Sequence, residues 1–125
     1  MSSPGEIAPL VTRPITYVDG VVDPVDLAHA VRLVLGCEQA VLGRLDSSAD
    51  DVVRMLSVSS MDRDNSCLVV EGDEVVGLLW IEQDPYEQVT GIDPYTLPWP
   101  GTESLRSALL ARGLDVARAR RAAAE

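Results

Sequence analysis

The sequence contains no lysine and no phenylalanine, one histidine and two cysteines. Without lysine there is no amine side chain for Schiff-base chemistry. With aromatics at 4% against 46% apolar residues, the core has to be aliphatic, built from Leu, Val, Ala and Ile. His29 stands alone, so neither a Ser, His, Asp constellation nor a Cys, His pair can be assembled. Cys37 and Cys67 are too few for the disulfide framework of a small secreted domain, and a reduced, intracellular chain is expected. No basic stretch leads into an apolar one at the N-terminus, and no run approaches the ~20 apolar residues of a membrane helix. The expectation is a cytoplasmic protein with no membrane partner. Twenty acidic residues against ten arginines give a net charge of −10, which argues against nucleic acid, whose phosphates need a clustered positive surface.

What remains is enough for one domain. A chain of 125 residues buries roughly two thirds of its unfolded surface. Its organising stretch is Cys67 to Glu82, CLVVEGDEVVGLLWIE. Two runs rich in Val, Leu and Ile flank the polar tetrad Glu71-Gly72-Asp73-Glu74, the pattern of a hairpin with a tight turn. Neither run alternates strictly, so both faces of the hairpin should be covered. Gly77 within the second strand calls for a bulge or a close backbone approach.

Around that hairpin the chain reads in order. Residues 1–14, with Pro4, Pro9 and Pro14, form an extended or disordered lead-in, and a domain follows over 15–125. Ile15 to Val18 reads as a short strand ended by Asp19-Gly20. Asp23-Pro24 starts a helix with Leu27, Val31, Val34 and Leu35 on one stripe, and Gly36 bends or stops it before a second piece carrying Ala40, Val41 and Leu45. His29 lies off that stripe, as a solvated helix histidine. Ser48 with Asp51 caps a short helix through Leu56, and Asp50-Asp51 favours its dipole rather than a metal. Met61 to Ser66 is a polar loop; its Asp-x-Asp-Asn spacing lacks the later Gly and Glu of a calcium loop. Asp84-Pro85-Tyr86 turns into a third strand near Glu87 to Ile92, ended by Asp93-Pro94. Pro98 and Pro100 impose an irregular segment, and Thr102 opens a final helix to about Ala124, with Leu105, Leu109, Leu110, Leu114 and Ala117 inward. Gly113 within it marks either a packing contact or a weak point. Arg118, Arg120 and Arg121 match the dipole at its solvated end. The expected class is therefore α+β: about four mostly antiparallel strands flanked by helices, in the order β-α-α-β-β-β-α.

That order, carried by ITYV at 15–18, the helices through RMLS, the Cys67 to Glu82 hairpin and the strand-then-helix from Glu87 to Arg121, resembles the first half of the GNAT acetyltransferase fold. AVLGRLDSSADDV, VVEGDEVVGLLWIE and Asp93-Pro94-Tyr95 resemble the N-terminal half of actinobacterial tandem GNAT proteins related to mycothiol synthase. The resemblance implies acyl transfer from acyl-CoA, such as acetyl-CoA, to an amine. Such transfer needs donors for the CoA diphosphate, a donor for the thioester oxyanion and a base for the ammonium. By the same resemblance Glu87, with Glu82 beside it, stands where family members carry a base.

The family holds the diphosphate with Arg/Gln-x-x-Gly-x-Gly/Ala ahead of a helix. In that place this chain has Pro98-Trp99-Pro100-Gly101-Thr102-Glu103-Ser104. Two prolines have no N–H to give, the second glycine is missing, and Glu103 brings negative charge into the first turn. Any CoA contact would fall to the amides of Gly101, Thr102, Glu103 and Ser104. The family's further strand, helix and closing hairpin have no counterpart after the last helix. The resemblance therefore implies a degenerate, non-catalytic half whose partner is a second GNAT domain or a second chain, including a homodimer. The competing expectation is an acidic interaction module that pairs through an open sheet edge.

Overall fold

The computed structural model describes residues 10–86, 88–97 and 102–124. Among them the fold is α+β, with a four-stranded antiparallel sheet, a separate two-stranded sheet and three helices. The hairpin forms as expected. Strands β4 (Cys67–Glu71) and β5 (Glu74–Gln83) are joined by Gly72-Asp73. Gly72 has φ 61°, the positive first position that a type II′ turn requires. Next to Gly77 the register slips between Val69 and Val70, and a Cβ on Gly77 would lie 3.3 Å from Leu109 Cδ1 and 3.3 Å from Val69 Cγ2. The glycine thus serves both a bulge and a close approach.

Both faces of the hairpin are covered. One carries Leu68, Val75 and Leu78 against Leu33 and Val34 of α1 (Pro24–Leu42) and Val52 and Leu56 of α2 (Ala49–Ser57). The other carries Cys67, Val69, Leu79 and Ile81 against Leu109 of α3 (Thr102–Ala124). A two-sided sheet explains the unbroken apolar runs.

Four boundaries differ from expectation. The strand beside β4 is β1 (Thr12–Pro14), inside the stretch read as a lead-in, and it pairs Thr12 with Val69. Arg13 anchors it with a two-pronged ion pair to the buried Asp26 of α1, at 2.6 and 3.0 Å, while the Thr16 amide donates to the same carboxylate. Ile15 to Val18 is not one strand of this sheet. Asp19 and Gly20, at φ 53° and 80°, reverse the chain so that β2 (Tyr17–Val18) pairs with β3 (Val21–Val22).

Gly36 does not interrupt α1. The helix is capped at its start by Asp23 and runs to Gly43, whose φ of 72° makes the left-handed stop. Residues 37–42 are helical but belong to α1 and not to a second piece, and Val41 and Leu45 are exposed. Finally, β6 (Val89–Thr96) continues through Asp93-Pro94, with Pro94 paired to Leu79. It lies at the edge of the order β1-β4-β5-β6, where a missing N–H can face solvent.

The last helix follows its expected span, capped-box α2 likewise. Leu109 is buried, but Leu110 and Leu114 face solvent, because the stripe against the sheet runs through Leu105, Leu109, Gly113 and Val116. Gly113 is the packing contact of the two readings. Arg120 is not simply solvated: its Nη2 donates to Asp62 Oδ2 at 2.9 Å. No helix among the described residues is long and apolar enough to cross a membrane.

Candidate functional site

The antiparallel register of β5 and β6 decides which polar groups meet. Leu78 pairs with Tyr95, Trp80 with Asp93 and Glu82 with Gly91, and alternation places Trp80, Glu82, Asp93 and Tyr95 on the face that α1 and α2 cover. Leu79 and Ile81 point to the other side. A row of four polar or amphipathic groups therefore crosses the outer half of the sheet.

Two of the four, Trp80 and Glu82, are held by hydrogen bonds. The Trp80 indole N–H donates to the Met55 carbonyl at 2.9 Å, tying the row to α2. Ser60 Oγ donates to Glu82 Oε2 at 2.8 Å, and the Gln83 amide donates to the Ser60 carbonyl at 2.7 Å. The Ser59-Ser60 segment thus fixes the end of β5. Asp93 reaches solvent at the sheet edge, yet packing beneath its carboxyl, followed by the Glu82 charge, pushes it above the usual carboxylate range. Tyr95 is half-buried. Burial first, then the charges of Asp93, Cys37 and Glu38, drive its phenol up to about 12.

Two carboxylates on one face attract a cation, and Asp93, raised by burial and by its neighbour's charge, is the one suited to take up a proton. Beside them lies a depression of about 350 Å³ lined by Ser59, Ser60, Gln83, Asp84 and Pro85. Gln83 Oε1 is buried with no hydrogen-bond partner among the described residues, so it is an unsatisfied acceptor. Asp84 is held by the Tyr86 and Gln88 amides, both at 2.9 Å. Asp84, Gln83 and Ser60 thus bring a carboxylate, an amide and a hydroxyl to the lining of one depression.

Of the residues singled out in the sequence, Glu82 joins this row. Glu87 and Gly101 lie outside the described residues, as do Pro98 to Pro100. Thr102 opens α3, followed by the exposed Glu103 and Ser104, with Glu103 in the first turn. His29 is partly buried in the second turn of α1. The sequence reading missed Asp93 and Tyr95 because Asp93-Pro94 looked like a strand end. Their signal was the alternation Gly91, Asp93, Tyr95 against Ile92. Asp51 caps α2 and pairs with Arg54. Asp62 accepts from Asn65 Nδ2 at 2.9 Å. Among the described residues no three His, Cys, Asp or Glu side chains stand close enough to share a metal ion.

Compared with known proteins, the chain matches no family model, no curated protein and no solved structure.

Proposed function

We propose that this chain is a GNAT-like acyltransferase half-domain, of the degenerate kind that keeps an amine-facing sheet but leaves acyl-CoA chemistry to a second copy. The observation that carries the reading is the arrangement of one antiparallel sheet in the order β1-β4-β5-β6 with α1 and α2 on one face and α3 on the other. Glu82 and Asp93 support it, since an amine acceptor needs carboxylates that draw in its ammonium and take its proton. Glu103 in the first turn of α3 supports the loss of the CoA role, because it opposes a diphosphate at that helix start.

The reading is tested by repair. Pro98→Arg, Pro100→Ala and Glu103→Gly together write Arg-x-x-Gly-x-Gly around the existing Gly101. Isothermal titration should show no acetyl-CoA binding by the natural chain and measurable binding by the repaired one. A repaired chain that folds and still fails to bind overturns the GNAT-like assignment; micromolar binding by the natural chain overturns the degenerate part.

A second reading has its own support. β6 is an eight-residue edge strand paired on one side only, to β5, among the described strands. Such an edge can add a strand from a partner or a second copy. Light scattering decides: concentration-dependent dimers that Ile92→Pro abolishes favour it, and a monomer at all concentrations removes it.

A further inference from the structure

At the opposite end of α3 from Thr102, the helix leans over the Met61 to Ser66 loop and the β5–β6 turn. A cleft of about 540 Å³ opens there, with Val116, Ala119 and Ala123 as an apolar wall and Asn65, Tyr86 and Arg112 around it. That volume falls within the roughly 300–1,000 Å³ range of small-molecule sites, which are likewise mostly apolar with a few polar groups.

The charges at this cleft do not cancel. Asp62 is neutralised by Arg120 at 2.9 Å, and Asp115, on the cleft wall, is paired with Arg118 at 3.3 Å. Arg112 also lines the cleft, is exposed and forms no ion pair among the described residues. In a chain of net charge −10, the cleft therefore has, among the described residues, one guanidinium without an ion-pair partner. A guanidinium presents a planar fork of donors that matches a carboxylate in two-pronged fashion. The Tyr86 ring, 84% exposed, supplies an aromatic flank for an apolar body.

We infer that this cleft is a binding site for a small organic carboxylate with an apolar body, its acid group on Arg112 and its body against Val116, Ala119 and Tyr86. The site uses neither the Glu82 and Asp93 row nor the start of α3, so it stands independently of the acyltransferase reading.

The experiment is a two-dimensional amide NMR titration of the natural chain with phenylacetate and, separately, with neutral phenylacetamide. Phenylacetate should move the amides of Asn65, Tyr86 and residues 112–123 in a saturable way. Phenylacetamide should bind at least about tenfold more weakly, and Arg112→Gln should weaken phenylacetate by a similar factor, the size expected for one charge-assisted pair. The Arg112→Gln spectrum away from the cleft should be unchanged, since Arg112 makes no hydrogen bond or ion pair among the described residues. Shifts that map elsewhere, equal binding of the two probes, or equal binding by Arg112→Gln overturns the inference.

Discussion

Gly113 of α3 faces Ile92 of β6 so closely that a Cβ on the glycine would clash with Ile92 Cγ2. The close contact sets how near the helix lies to the outer half of the sheet, and hence where the cleft at its far end opens. Gly113→Ala gains about 1 kcal/mol of helix propensity but forces overpacking against a β-branched side chain, costing about 1–3 kcal/mol. Urea denaturation should show net destabilisation of about 1 kcal/mol. Ile92→Ala should cost less in the Gly113→Ala background than in the natural chain, because the two changes share one contact.

Arg13 and Asp26 make acid stability predictable. The Arg13 hydrogen bond, and after it the Thr16 amide, hold the Asp26 carboxyl below its usual range despite its burial. A carboxylate lowered in the folded state stabilises above its unfolded value, and that stability disappears as pH falls through the lower folded value. Stability should therefore drop on the acid side of pH 4, roughly the unfolded aspartate value. Asp26→Asn should flatten that limb while costing about 1–3 kcal/mol at neutral pH, measured by thermal unfolding across pH.

Asp93 should behave in the opposite sense. Its carboxyl is raised by packing and by Glu82, so the folded chain holds the proton longer than the unfolded one. Its ionisation then weakens the fold as pH rises from the unfolded value through the folded one. Carboxyl NMR titration should show the Asp93 midpoint moving toward the ordinary range in Glu82→Gln, and Asp93→Asn should be more stable than the natural chain at neutral pH.

Asp62, 2% exposed, carries the weight of the loop before β4. It accepts from Arg120 and from Asn65 through both its amide and its side chain. Arg120→Ala should destabilise by about 1.5–3 kcal/mol, the range for a hydrogen bond to a charged group. A double-mutant cycle with Asp62→Asn should return most of that as coupling, and additive losses would show that the two side chains act separately.

The α+β class, the hairpin, the capped helix at Ser48 and the last helix were legible in the residues, because turn chemistry, caps and apolar runs act over a few neighbours. Gly72, Asp23-Pro24 and the Ser48-Asp51 box each report on their own turn of chain. Gly36 and Pro94 misled for the same reason: each looks like a terminator locally, and only packing overrides it. The helix continues through Gly36 because Leu33 and Val34 are already fixed in the core. The strand continues through Pro94 because it lies on an edge where one N–H is dispensable.

The candidate sites belong to the other category. Composition determined an aliphatic, acidic, single-histidine chain, and the unalternating runs of the hairpin determined apolar cover on both its faces. That Glu82 and Asp93 share a face, that Arg112 has no acid partner among the described residues while Arg120 and Arg118 find theirs, and that the stretch around Arg13 is a strand were decided by tertiary structure. The physical reason is that strand register and helix placement bring together residues far apart in the chain, and whether a charge is matched depends on those distances rather than on its neighbours in sequence.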